Sequence, residues 1–143
     1  MNPIAGIGYE GRSVEDVVKA VSLAGVTVVV DVRLNAISRK AGLSKKALQS
    51  HLAEAGIRYE HLSDLGNPKD NRNAFRNGEP GARSRYVKLL TIGSSASVDK
   101  VIDMASSEAV ALLCYERDAA QCHRSAVTDE VVRRDPSIRV IDL

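Results

Sequence analysis

The sequence predicts an α/β fold: a single domain spanning residues 1–143, built on a mostly parallel sheet with helices on both faces. Three observations carry this reading. The length of 143 residues is that of one ordinary domain. Hydrophobic residues make up 44 % of the chain but aromatic ones only 3 %. Val, Leu, Ile and Ala must therefore fill the core, a supply that suits strands buried on both faces. Finally, short apolar runs alternate with segments of helical spacing, the order expected of β-α units.

Ile4 to Gly8 is the first apolar run and reads as a strand. Ser13 then caps a helix in which Val14, Val17, Val18 and Val21 share one face, with Gly25 as the stop. Val26 to Val32 is almost continuous Val and reads as a central strand. Ser44 opens a second helix, carrying Ala47, Leu48 and Leu52 and ending at Gly56. Ile57 to Leu62 alternates in polarity like a peripheral strand. From Ser63 to Gly81 periodicity disappears among Asn, Gly and Pro, which predicts a long irregular loop near the site over residues 67–80. Helices follow around Arg83 to Leu90 and Val98 to Ala105. Then come the strand Ala109 to Cys114, the helix Cys122 to Arg133 and a closing strand from Ser137 to Ile141. The Val-rich run and Ala109 to Cys114 are the most apolar strands and are expected as adjacent or near-adjacent central strands. No internal repeat or linker divides the chain.

In such sheets ligands sit outside the carboxyl ends of the strands, so the loops that follow the strands carry the functional reading. After the first strand, Tyr9-Glu10-Gly11-Arg12-Ser13 leads into a helix start, where free amides favour an anion. The glycine spacing is neither a dinucleotide fingerprint nor a P-loop. After the second come Asp31 and Arg33, then Ser38 and Arg39. After the fourth, Cys114-Tyr115-Glu116-Arg117-Asp118 leads to Cys122-His123-Arg124-Ser125 at a helix start, which lowers a thiol's pKa and attracts anions. His61 follows the third strand at the same edge.

The candidate catalytic residues are Glu10, Glu116, Cys122 and His123. Tyr9, Arg12, Asp31, Arg33, Ser38, Arg39, Arg124 and Ser125 are the candidate binding residues. Arg12, Arg33 and Arg124 are expected to converge on one anion-sized space, with Glu10 or Glu116 close by. The competing outcome pairs each arginine locally, Arg33 with Asp31 and Arg124 with Asp118 or Glu116. Four tyrosines, Tyr9, Tyr59, Tyr86 and Tyr115, are too few and scattered to suggest a base-stacking platform.

The net charge of +2 is too small for a general polyanion binder, yet 13 of the 20 basic residues are Arg, the better fork for phosphate. Cys114, Cys122 and His123 lack a paired Cys-x-x-Cys and a fourth ligand, so no metal and no cofactor are expected. Met1 to Ala5 has no signal-peptide character, and the longest apolar run is too short for a bilayer. A cytoplasmic location, no membrane partner and two reduced thiols follow as expectations.

Ile7-Gly8-Tyr9-Glu10-Gly11-Arg12-Ser13, Asp31-Val32-Arg33, Ile37-Ser38-Arg39-Lys40, Leu65-Gly66-Asn67-Pro68-Lys69-Asp70-Asn71-Arg72 and the two cysteine-bearing segments resemble, in order, the bacterial and archaeal family catalogued as domain of unknown function 488. Ala36 and Ala41 stand where that pattern usually has prolines, and Leu43 where it has Phe. The resemblance implies a cytosolic single-domain protein with these segments clustered, and no particular reaction. The layout is also similar to that of rhodanese-like domains and cysteine phosphatases. However, nine residues separate Cys114 from Arg124, too many for a phosphatase anion loop.

Three functions remain open on these residues. One is an enzyme acting on a phosphate-bearing substrate, a nucleotide or a nucleic acid. The second is a thiol-dependent redox or sulfur-transfer protein using Cys114 and Cys122. The third is a noncatalytic nucleic-acid-binding module.

Overall fold

The computed structural model describes residues 3–143. Five strands form one all-parallel sheet: β1 (Ile4–Gly8), β2 (Val28–Asp31), β3 (Arg58–His61), β4 (Val110–Cys114) and β5 (Val140–Asp142), in the order β3-β2-β4-β1-β5. The two most apolar strands, β2 and β4, are neighbours, paired from Val28 with Val110 to Asp31 with Leu113. Strand β3 lies at one edge, as its alternation predicts. Its Arg58 reaches Glu60 and Glu108, and Lys100 reaches Glu60 at 3.2 Å. At the other edge β5 has three residues, all exposed.

The side-chain period of two sorts the core into two layers. Ala5, Ile7, Val29, Ala111 and Leu113 face α1 (Val14–Leu23) and α2 (Lys45–Glu54), whose Val17, Val21, Leu48 and Leu52 are fully buried. Ile4, Val28, Val30, Val110 and Leu112 face the opposite layer, which contains α3 (Arg72–Arg76), α4 (Pro80–Ile92), α5 (Ser95–Ser107) and α6 (Arg124–Arg134). Helix α1 starts where expected: the Ser13 hydroxyl accepts from the Asp16 amide and the Asp16 carboxylate from the Ser13 amide, a complete capping box.

The stretch predicted to be irregular is more ordered than its composition suggests. It contains 3-10 turns at Ser63–Leu65 and Lys69–Asn71, then the five-residue α3, and α4 begins at Pro80 rather than near Arg83. Proline suits that first helical position because it has no amide to leave unpaired. Polar contacts pin the rest. The buried Asn71 amide donates to the Asn67 side chain (3.1 Å) and to the Ala82 carbonyl (3.0 Å).

The faces also fix where loops can open. The chain leaves β1 and β2 towards the α1–α2 layer but leaves β4, which lies between them, towards α6. Neighbouring strands whose connections part to opposite faces leave a crevice at their carboxyl ends.

Candidate active site at the carboxyl edge

Loops after four strands line one cleft at this crevice. Tyr9 comes from β1, Arg33 to Asn35 and Ile37 from β2, Asn67, Arg72, Phe75 and Arg76 from the segment after β3, and Tyr115, Glu116, Gln121 and His123 from β4. Two glycines allow these loops to approach. A Cβ on Gly8 would lie 1.9 Å from the Glu116 carbonyl oxygen, and one on Gly66 would lie 2.3 Å from Leu34 Cα. Both neighbours are backbone and cannot swing aside. Only glycine lets the loops cross here. Beyond the strands, the Tyr9 amide donates to the Cys114 carbonyl and the Glu10 amide to the Tyr115 carbonyl, which ties the loops after β1 and β4 together.

Arg33 is not an open donor, whereas Arg12 Nη1 and Arg124 Nε are buried without a hydrogen-bond partner among the described residues. Arg33 is 6 % exposed and grips Asp31 through Nε (2.9 Å to Oδ1) and Nη2 (2.6 Å to Oδ2). Its Nη1 donates to the Leu43 carbonyl at 2.7 Å, and the Tyr59 hydroxyl donates to Asp31 Oδ2 at 2.6 Å. Burial opposes the charge on Arg33, but the hydrogen bonds and charge of Asp31 outweigh it and hold the guanidinium above its ordinary pKa. Arg124, 2 % exposed, donates to the carbonyls of Glu116 and Arg117 and to Cys114 Sγ. Burial lowers its pKa. Arg12 turns to the Leu143 carbonyl (2.9 Å). The expected convergence of Arg12, Arg33 and Arg124 on one anion site is therefore corrected. Arg33 is locally paired, Arg124 braces the loop after β4 from beneath, and Arg12 reaches the Leu143 carbonyl beyond β5.

The remaining predicted residues divide. Glu116, His123 and Tyr9 line the cleft. Glu10 does not; its carboxylate accepts from the Arg117 amide at 3.1 Å and fixes that loop. Asp31 is fully buried beneath Arg33. The Ser38 hydroxyl accepts from the Lys40 amide and shapes a turn, while Arg39 is exposed away from the cleft lining. Ser125 bonds the Cys122 carbonyl and accepts from Arg83 on the outer side of α6. Cys122 is fully buried and joined to Cys114 in a disulfide, so the expectation of two free thiols is corrected. In this state Cys122 offers no thiolate to a ligand in the cleft.

The cationic rim comes instead from the segment after β3. Arg72 is anchored through Nε on the Asn67 carbonyl (3.1 Å), and among the described residues its outer nitrogens have no hydrogen-bond partner. Arg76 reaches Glu116 Oε1 at 3.0 Å. Aromatic rings border the same space. Tyr115 stands edge-on to Tyr9 with centroids 5.4 Å apart, and Phe75 faces the cleft from α3. Tyr9 and Tyr115 are far apart in sequence, so their scatter there concealed a pairing made by the β1–β4 register.

His123 has the clearest chemical state. Its Nε2 lies 2.7 Å from the Val32 carbonyl, which can only accept, so Nε2 carries the proton and Nδ1 keeps a lone pair. His61 meets the next carbonyl, Arg33 O, in the same way at 2.7 Å. The Tyr86 ring, 5.4 Å from that of His123, fixes its orientation edge-on. Burial pulls the His123 pKa below its ordinary value, outweighing the carbonyl and Glu116, which favour the cation. The imidazole is thus neutral near pH 7, in a residue that lines the cleft.

Residues 13–131 match the family described as Domain of unknown function DUF488. The chain belongs to that family. The DUF488 stretch includes every cleft-lining residue except Tyr9, and with it both cysteines and the rim arginines. No curated protein and no solved structure matches the chain. Among the described residues, no helix is long and apolar enough to cross a membrane.

Proposed function

We propose that the protein is an enzyme acting on a phosphate-bearing substrate with a planar ring, a nucleotide or the end of a nucleic-acid strand. One observation carries this reading: Arg72 and Arg76 overhang the cleft into which neutral His123 and Glu116 also face. Phosphate recognition needs planar, charged donors that are not already consumed, and Arg72 has them. Tyr115, partly exposed beside Tyr9, offers a ring face to a base. His123 accepts the proton of the attacking water or hydroxyl as its oxygen bonds to phosphorus, and Glu116 orients Arg76 and the ligand.

The test is calorimetric titration with nucleoside mono-, di- and triphosphates and with short single strands, followed by chromatography of each mixture. At least one of these should bind and be converted. Arg72→Ala should weaken that binding by roughly 1.5–3 kcal/mol, the scale of a hydrogen bond to a charged group, while His123→Gln should bind without turnover. Binding that depends steeply on salt and leaves every ligand intact would favour a noncatalytic nucleic-acid module. No binding at all would sink the reading.

A further inference from the structure

We infer that Cys114, Cys122 and Glu116 form a metal site that becomes available when the disulfide is reduced, with the ion bordering the cleft. The sulfur atoms of the two cysteines and a carboxylate oxygen of Glu116 all lie within 4.8 Å of one another. The cysteine Cα atoms are 7.2 Å apart, so side-chain rotation alone can part the sulfurs around an ion. A zinc ion takes thiolate and carboxylate ligands, and zinc sites with three protein ligands leave a fourth position open.

Two donors already point at the sulfur atoms. Arg124 Nη1 donates to Cys114 Sγ at 3.0 Å, and the Arg124 amide donates to Cys122 Sγ at 3.4 Å. Sulfur in a thiol or disulfide is a weak acceptor, whereas a thiolate beside a guanidinium is stabilised. Cations also stand against the ligand charge. Two thiolates and one carboxylate bring three negative charges, which a divalent ion, Arg124 and the Arg76 that reaches Glu116 offset. His123 Nδ1 lies 3.9 Å from Cys122 Sγ, with its other nitrogen fixed on the Val32 carbonyl.

The chemistry balances. A dithiol donor gives two electrons and two protons to the Cys114–Cys122 bond and becomes its own disulfide. Binding of the divalent ion then releases the two thiol protons. Because Glu116 lines the cleft, an ion held here borders the space assigned above to the phosphate. That last relation rests on the proposed function; metal binding itself does not.

The experiment uses the full chain, reduced with a phosphine, freed of reductant and metal without air, and titrated with Co²⁺ and Zn²⁺. The reduced protein should bind one equivalent of Co²⁺, with the near-ultraviolet absorption of a cobalt–thiolate bond, and Zn²⁺ should displace it. The oxidised protein should bind none. Cys122→Ser should lose the absorption, and Glu116→Gln should weaken Zn²⁺ binding by at least the roughly tenfold that even an outer-shell change costs. Circular dichroism checks the fold of each variant, with Cys114→Ala as the second cysteine variant. Stoichiometric binding that survives both cysteine changes, undiminished binding by Glu116→Gln, or no binding by folded protein with two titratable thiols would each overturn the site. Nucleotide titrations of the same samples report separately on the proposed function.

Discussion

Arg33 and Arg72 both reach the carboxyl edge of the sheet, yet their surroundings ask opposite things of them. Arg33 leaves a fully buried strand, and its guanidinium is enclosed by Asp31, the Leu43 carbonyl and Tyr9. Arg72 sits on a short helix over the cleft, held by one bond to a backbone carbonyl. A charge taken out of water must be paired at once, so an arginine that follows a buried strand is committed to architecture. An arginine on a rim keeps water as its partner until a ligand replaces it. Arginines become available for recognition by standing slightly apart from the core that positions them.

This contrast can be broken most directly at Asp31. Asp31→Ala leaves Arg33 buried without its carboxylate and should cost about 3–5 kcal/mol in urea unfolding. A loss below roughly 1 kcal/mol would mean that the pair is not structural. Arg124→Ala should come next, at about 1.5–3 kcal/mol, because it releases two carbonyls in the loop after β4. Ligand affinity should fall with it through loosening of that loop.

A pH series sharpens the comparison at a third place, far from the cleft. Glu130 receives Arg133 and Arg134, each at 2.7 Å. The bond from Arg133 leads in lowering its pKa from 4.5 to about 2. A depressed carboxyl pKa means that the unfolded chain binds the proton more readily. Its stabilisation is therefore whole above pH 4.5 and lost as pH falls towards 2. Thermal unfolding of Glu130→Gln should lack that part of the acid decline.

Smaller still, Arg76→Ala should change stability by no more than about 0.5 kcal/mol. Its effect belongs in the ligand titration, and an unfolding change as large as that of Arg124→Ala would erase the distinction between rim and core. Arg39→Ala should alter neither measurement, since Arg39 is exposed and outside the cleft.

The fold was legible because β-branched runs and helical spacing report burial directly. Val26 to Val32 and Ala109 to Cys114 read as central strands, and their direct pairing came from the structure. The segment from Ser63 to Gly81 was not, because Asn67, Asn71 and Arg72 hold it by polar contacts that carry no hydrophobic period. For the site, parallel topology located the edge and the loops. Which arginines face outward was not legible, because that depends on whether a partner stands near in space. Asp31, two residues from Arg33, signalled such a partner. The Arg72 and Arg76 rim had only a motif, Gly66-Asn67-Pro68-Lys69-Asp70-Asn71-Arg72, with no strand end to place it. The pairing of Tyr9 with Tyr115 needed the β1–β4 register.

The ends of the sheet govern how copies of this chain meet at high concentration. At β3, Arg58 and Glu60 are knotted with Lys100 and Glu108 across the outer strand. A strand added there must strip water from those charges. At β5 the exposed strand is three residues long, so an added strand gains few ladder bonds before it runs out of backbone. Lateral pairing, the usual route from an open sheet to aggregates, is opposed by charge at one end and by brevity at the other.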